Sequence, residues 1–322
     1  SSYQVGQDPL TYISAMANLT KNINFLAAIR SGEMHPPMLA RSIATLDHIL
    51  KGRLTINIIS SDLPGTLMPS KERYDRSREV IQILKQAWNQ NEINFQGNYY
   101  NFNLPSSPVK PYQQNGGPLL YFGGYSTEGV DLCAEFCDVY LMWPDTEEKL
   151  KVLISKMLSK AAEYNRTVQF GLRVHVIVRE TENEAKAYAN KLISKLDLKI
   201  GEDIKDRALD SKSLGVSKQT SLREKADKEY YAEPHLWTGI GLARSGCGAA
   251  IVGNPEQVFN KIKRYIDMGI NAFILSGYPH HQECKLFAKY VLPKLKNVHL
   301  PEVLGRVPKK TPYTPLGDGP RE

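Results

Sequence analysis

The chain alternates short, nearly continuous apolar runs with longer stretches in which apolar residues recur every three or four positions. The runs fall at 23–29, 54–60, 119–124, 139–143, 172–178 and 272–276, and strands covered on both faces read this way. Between them, helical patterns cover 37–50, 71–89, 127–136, 146–163, 182–195, 255–268 and 281–294. The β-then-α alternation predicts a parallel α/β fold, either a barrel or an open sheet.

Three segments break the rhythm. Residues 90–117 predict a short hairpin-like excursion followed by a Pro- and Gln-rich loop. Residues 197–236 are dense in Lys, Asp, Glu and Ser with few large apolar side chains, which suits a lid or a surface insertion. From Leu300 to Glu322 the chain carries five prolines and three glycines and reads as a tail, extended over a neighbouring surface or disordered. The expected layout is one domain over 1–299, with 197–236 as its insertion, followed by the tail at 300–322.

Side-chain alternation along 172–178 puts Arg173 and His175 on the same face of an otherwise apolar strand. Burying an unpaired cation costs several kcal/mol, so such a pair calls for a carboxylate, a phosphate or an anionic ligand beside it. Gly123-Gly124-Tyr125-Ser126 follows a strand and opens a helix, where backbone N–H groups and a hydroxyl can hold a phosphate, although a glycine turn also serves steric needs there. The glycines between Gly239 and Gly248 lack the spacing of a dinucleotide fingerprint; they let the backbone approach a ligand or form a flexible connector, with Arg244 as a candidate anion-binding side chain. Ser276-Gly277-Tyr278-Pro279-His280-His281 ends the last strand, where parallel α/β folds place their sites, so Tyr278 is a candidate by position. Adjacent histidines point in different directions, and His280 and His281 suit a helix start or a solvent role rather than a metal.

With 322 residues and 42% hydrophobic content the chain can bury a large core. Its 41 Lys and Arg against 34 Asp and Glu leave a charge of +7, spread along the chain. That excess attracts anionic small molecules, and no aromatic-basic motif extends it to nucleic acid. The cysteines at 133, 137, 247 and 284 form no CxxC pair or regular array, which suggests a reduced cytoplasmic protein. No apolar run is long enough for a membrane span and the start has no signal-peptide pattern. HExxH, GxSxG and Walker motifs are missing, so neither a metal nor nucleophilic or nucleotide hydrolysis has a motif behind it.

Taken in order, Leu54-Thr55-Ile56-Asn57-Ile58-Ile59-Ser60-Ser61-Asp62, Glu72-Arg73-Tyr74-Asp75, Leu120-Tyr121-Phe122-Gly123-Gly124-Tyr125-Ser126, Arg173 to Glu180, Leu236 to Arg244 and Ser276 to His280 resemble successive landmarks of the bacterial-luciferase-like flavin monooxygenases. The nearest likeness is to FMNH2-dependent alkanesulfonate monooxygenases, over residues 8–295. This resemblance implies a (β/α)8 TIM barrel that uses reduced FMN and O2 to release sulfite from an alkanesulfonate and leave an aldehyde. A separate NAD(P)H-dependent flavin reductase would supply the FMN, and relatives are usually homo-oligomers, dimers or tetramers. The insertion becomes a lid that excludes water from the reacting flavin.

By the same resemblance Arg173, His175, Arg244, Tyr278 and Trp143 match the substrate and catalytic constellation. Two arginines can bind a sulfonate and stabilise developing negative charge, while Tyr278 and His175 can donate hydrogen bonds or move protons. Asn57 would face the isoalloxazine ring; Tyr74, Gly124, Tyr125 and Ser126 would hold the FMN phosphate, though Tyr74 also suits simple helix packing. The chain departs from the family pattern in places. The family's first strand, first helix and second strand lack a counterpart, leaving six of eight expected barrel strands, as in a fragment of a longer protein or one in which other segments replace them. A cysteine expected near the substrate is missing around Gly6, and Ser70 stands where a histidine often precedes the Glu-Arg-Tyr motif. Two further readings stay open: a related FMNH2-dependent monooxygenase acting on a sulfone or another small organic substrate, and a non-catalytic flavin-binding protein.

Overall fold

A computed structural model describes residues 6–63, 65–197, 199–201, 203 and 213–312. In chain order its elements are α1 (Pro9–Ala17), β1 (Phe25–Arg30), α2 (Pro36–Leu50), β2 (Leu54–Ile59), α3 (Ser70–Asn89), the strands β3 (Glu92–Gln96) and β4 (Asn101–Pro105), β5 (Leu120–Phe122), α4 (Thr127–Phe136) and β6 (Val139–Met142). There follow α5 (Glu147–Glu163), β7 (Gln169–Val178), α6 (Glu182–Ile193), α7 (Leu214–Glu224), β8 (Tyr231–Glu233), β9 (Leu236–Trp237), β10 (Ala250–Gly253), α8 (Pro255–Asp267), β11 (Ile270–Ser276), α9 (His280–Tyr290) and α10 (Leu300–Val303). Short 3-10 turns occupy Gly239–Leu242 and Leu292–Lys294.

Local chemistry sets several of these boundaries. α2 starts with Pro36 in its first turn and ends where Lys51 and Gly52 turn left-handed, at φ 52° and 83°. α6 and α8 carry reciprocal capping boxes, Thr181 with Glu184 and Asn254 with Gln257, which satisfy otherwise unpaired N–H groups. Spacings of three and four bury Leu39, Ile43, Leu46 and Leu50 on α2 and Val80, Ile83, Leu84 and Ala87 on α3.

Contacts divide the chain into two compact units. The N-terminal unit comprises residues 2–123, 131–139 and 298–322. In it β1, β2 and β5 run parallel in that order, and β3 and β4 form the expected antiparallel hairpin. Asn57 on β2 sits in register with Ala28 and Tyr121. The expected tail is a helix at its start rather than extended: after α10, Arg306 reaches Asp138 at 2.8 Å and Gly117 O at 3.1 Å, and its own carbonyl accepts from Gln114 N. Residues beyond 312 lie outside the described part.

The C-terminal unit comprises residues 124–130 and 140–297. Its strand order is β6-β7-β10-β9-β8, with β11 added to β7. The N-terminal part of β7 pairs in parallel with β11 and its C-terminal part with β10, while β9 runs antiparallel to β10 and β8 to β9. The sheet is therefore mixed, and three of its strands escaped the sequence pattern. β10 is four residues behind a glycine-rich loop, and β8 and β9 lie inside the polar stretch that predicted a lid. That stretch is only partly described: 198, 202 and 204–212 lie outside, and the rest includes α7 and the β8–β9 hairpin.

One buried acid makes the N-terminal unit sensitive to pH. The Asp47 carboxylate, fully buried on α2, accepts from Gln113 N at 2.7 Å and Gln113 Nε2 at 2.8 Å. Burial outweighs those donors and pushes its pKa up to about 7. The folded chain then holds this proton at pH values where the unfolded chain has lost it, so the carboxyl's contribution to stability falls as pH rises from about 4 to about 7. Asp47→Asn cannot titrate, and the gap in thermal midpoint between wild type and variant should narrow between pH 5 and 8. A gap that widens with pH would mean the two Gln113 donors favour the anion more than burial opposes it.

Candidate active site

β7 and β11 place the residues that carry chemistry. Their register sets His175 opposite Ser276, and the side chains of directly opposed residues share a face. His175 is fully buried, and Arg173, two residues earlier on that face, is half-buried. Ser276 Oγ lies 2.8 Å from His175 Nδ1. On the other side of the ring, His175 Nε2 is 3.1 Å from Arg244 Nη1. The same Nη1 donates to the Tyr278 hydroxyl at 3.0 Å, and the Tyr278 and His175 rings stack with centroids 5.5 Å apart.

A guanidinium has only N–H donors, so Nε2 accepts from Arg244 and His175 is a neutral acceptor on this side. Burial, then Arg244, then Arg173 hold its pKa down to about 3. Nε2 is therefore committed as an acceptor, and any hydrogen bond that His175 donates comes from Nδ1. The Tyr278 oxygen also accepts from Arg244, which leaves the hydroxyl proton free to point elsewhere. Tyr278 is 36% exposed and so can offer that proton to a ligand. Among the described residues neither Arg173 nor Arg244 has a carboxylate partner, and Arg173 Nε is buried with no partner at all. Beneath them Cys247 donates to Arg173 O at 3.3 Å; burial pushes its thiol up despite both cations.

Trp143 follows β6. Its backbone N–H donates to the Tyr125 hydroxyl at 2.6 Å, and the two rings meet at 6.4 Å. The Tyr125 hydroxyl is thus spent on the Trp143 backbone, unlike the expected phosphate contact. Ser126 Oγ accepts from Gly129 N at 3.1 Å at the start of α4, and Gly124 O accepts from Tyr140 at 2.8 Å. In the N-terminal unit, Asn57 Oδ1 is buried without a partner, and Tyr74 lies tilted against Phe122 at 6.1 Å, the contact of a packing aromatic. His280 and His281 start α9, as expected of them.

Sequence reasoning missed Gln219. On α7 it donates to Pro144 O at 2.7 Å and accepts from Gly248 N at 2.9 Å, tying the residue after Trp143 to the loop that carries Arg244. Arg223 adds a bond to Gly241 O at 3.0 Å. In that loop Gly246 adopts φ 85°, which a side chain would strain. At Gly215, also on α7, a Cβ would lie 2.7 Å from the Trp143 ring. No signal in the polar stretch points to Gln219, because its partners are distant in sequence.

A model of the luciferase-like monooxygenase family matches residues 1–272. The chain belongs to that family. It is 56% identical over its whole length to a sulfoquinovose monooxygenase of Agrobacterium fabrum, of which it covers 84%. A sulfoquinovose monooxygenase of Novosphingobium aromaticivorans is 49% identical over 92% of the chain and 84% of that relative. Among solved structures, the long-chain alkane monooxygenase LadA superposes with a TM-score of 0.73 at 21% identity, covering 96% of this chain and 76% of LadA. DmoA from Hyphomicrobium sulfonivorans gives 0.72 at 21% identity, over 94% and 72%. These two likenesses concern the fold. No described helix of this luciferase-like monooxygenase is long and apolar enough to cross a membrane, and the described residues hold no group of three metal-ligating side chains.

Gln219→Leu keeps the volume and deletes both bonds, leaving a buried carbonyl and N–H unpaired at a cost of about 1–3 kcal/mol. The variant should unfold several degrees lower and be cut faster by trypsin after Arg244. Unchanged cleavage at Arg244 would mean the loop is held without Gln219.

Proposed function

We propose that this monooxygenase uses reduced FMN and O2 to cleave the C–S bond of sulfoquinovose, a hexose bearing a sulfonate on C6. The supporting observation is the identity of 56% along the entire chain with a sulfoquinovose monooxygenase. It replaces a simple alkanesulfonate with a sugar sulfonate and keeps the reaction class. The reaction balances as R–CH2–SO3⁻ + O2 + FMNH2 → R–CHO + HSO3⁻ + FMN + H2O, so the sugar leaves as a C6 aldehyde.

Each unit by itself offers groups suited to a flavin: in the N-terminal unit Asn57 Oδ1, buried and without a described partner, would suit a ring N–H, and in the C-terminal unit Ser126 with Gly124 at the start of α4 would suit an anionic phosphate. Tyr125 serves indirectly, by fixing Trp143. Tyr74 stays a phosphate candidate by resemblance. When bound, reduced FMN supplies the two electrons that split O2 between the aldehyde and water.

The chain's own residues do the rest. Arg173 and Arg244 bear positive charge without a carboxylate among the described residues, which suits a sulfonate and developing negative charge. Tyr278 directs its hydroxyl proton toward the ligand while Arg244 holds its oxygen. His175 fixes Arg244 from behind, and the Trp143 ring contributes an apolar surface that helps to exclude water. A separate flavin reductase supplies FMNH2.

Sulfite release with reduced FMN tests this directly. Sulfoquinovose should exceed methane- to decanesulfonate in kcat/KM, and Arg244→Ala should lower turnover on the order of 100-fold with the fold intact. Equal or better turnover of a plain alkanesulfonate would overturn the substrate, and no flavin-dependent sulfite from any sulfonate would overturn the reaction.

A further inference from the structure

Ser276 has no role so far beyond its contact with His175, and the geometry gives it a task. His175 Nε2 faces a group that can only donate, Arg244 Nη1 at 3.1 Å. The ring's single proton must then sit on Nδ1, where Ser276 Oγ lies at 2.8 Å. We infer that Ser276 is a positioning residue, which accepts the Nδ1 proton of His175 and so keeps the Nε2 lone pair turned on Arg244.

Alternative arrangements show why a hydroxyl is needed here. If the proton moved to Nε2, two N–H donors would face each other across 3.1 Å and Nδ1 would be left as an acceptor. If the ring flipped, the carbon edge would face Arg244 and its guanidinium would lose an acceptor inside a site that already holds a second cation, Arg173. A charged imidazolium fails as well, because its Nε2–H would also face the Arg244 donor and because burial and the two cations oppose the charge. The neutral Nδ1–H tautomer is the single state that satisfies all three groups, and only an acceptor beyond Nδ1 holds the ring in it. Ser276 is well placed for this because β11 pairs with β7 in register, so its Oγ is fixed by the sheet rather than by a loop.

The consequence reaches Tyr278. Arg244 Nη1 has two hydrogens, one for His175 and one for the Tyr278 oxygen at 3.0 Å. With the first fixed, the second is fixed too, and with it the direction of the tyrosine's own proton. Without Ser276 the imidazole samples both tautomers, Arg244 loses its anchor and the Tyr278 proton loses its preferred direction. Ser276 touches neither substrate nor cofactor in this account and acts through His175.

The tautomer can be read without turnover, which separates this inference from the choice of substrate. In protein labelled with ring ¹⁵N-histidine, His175, assigned by its loss in His175→Asn, should show a protonated Nδ1 and an unprotonated Nε2 between pH 6 and 8. Ser276→Ala should shift both signals toward a tautomer average and cut kcat for sulfite release roughly tenfold or more with little change in thermal midpoint, because a small misplacement of a catalytic group is costly. Ser276→Thr keeps the hydroxyl and should restore the Nδ1–H signal. A protonated Nε2 in the wild type, or identical ring signals in wild type and Ser276→Ala, would overturn the inference whatever substrate the enzyme prefers.

Discussion

One guanidinium nitrogen organises the site. Arg244 Nη1 donates to His175 Nε2 and to the Tyr278 oxygen at about the same distance, 3.1 and 3.0 Å. Since arginine neither loses its proton nor accepts a hydrogen bond, this contact dictates the states of its neighbours. The imidazole becomes a neutral acceptor, and the phenol becomes an acceptor whose own proton faces outward. A lysine could supply the charge but not a fixed planar fork, so the same protonation pattern would not be imposed.

The surrounding charges set the cluster apart. Elsewhere in the C-terminal unit buried cations have acids beside them. Lys261, fully buried, lies 2.6 Å from both Glu147 and Glu233, and Arg179 lies 2.7 Å from Glu283. Those groups are neutralised within the fold. Among the described residues Arg173 and Arg244 have no such partner, and they share their surroundings with a histidine that burial and the two cations keep uncharged. An anion bound there would offset the cost of this positive concentration, and the free energy withheld in folding would become binding energy. The paired cations also serve the site at one remove: Tyr188, against the Arg179 guanidinium at 3.7 Å, donates to Tyr278 O at 2.9 Å. Tyr278 is thereby held at its backbone by one element and at its hydroxyl by another.

What the sequence disclosed follows the range of each interaction. Period two on a strand is local, so Arg173 and His175 could be placed on one face from neighbouring residues alone. Seven of the described helices, whose pattern repeats every turn, were legible nearly to their ends, as at α4, where the expected and observed ranges coincide, while α1, α7 and α10 were not. Ser276 and His175 are 101 residues apart and meet only through the register of β11 on β7. Gln219 joins Pro144 to Gly248, and nothing in its polar neighbourhood distinguishes it from a solvated side chain. β10 was hidden for another reason: four residues are too few for a period, and the glycines before it suggested a ligand loop. Tyr125 has a partner of the same hidden kind: its position after a glycine turn suggested a phosphate, and nothing local announced that its hydroxyl accepts from the Trp143 backbone N–H.

The same distinction explains why the reaction class was easier to reach than the substrate. Two arginines without a carboxylate among the described residues, beside a tyrosine that follows β11, are chemistry suited to an anion, and every sulfonate would present the same three oxygens to them. An alkyl chain and a sugar ring differ in what lies beyond the C–S bond, where discrimination depends on hydroxyl partners and on shape rather than on the anion. Such contacts arise from many side chains spread along the sequence, each too weak a signal to form a motif. Their imprint is distributed, so likeness along the entire chain carries information about the substrate that the short motif around His175 does not contain.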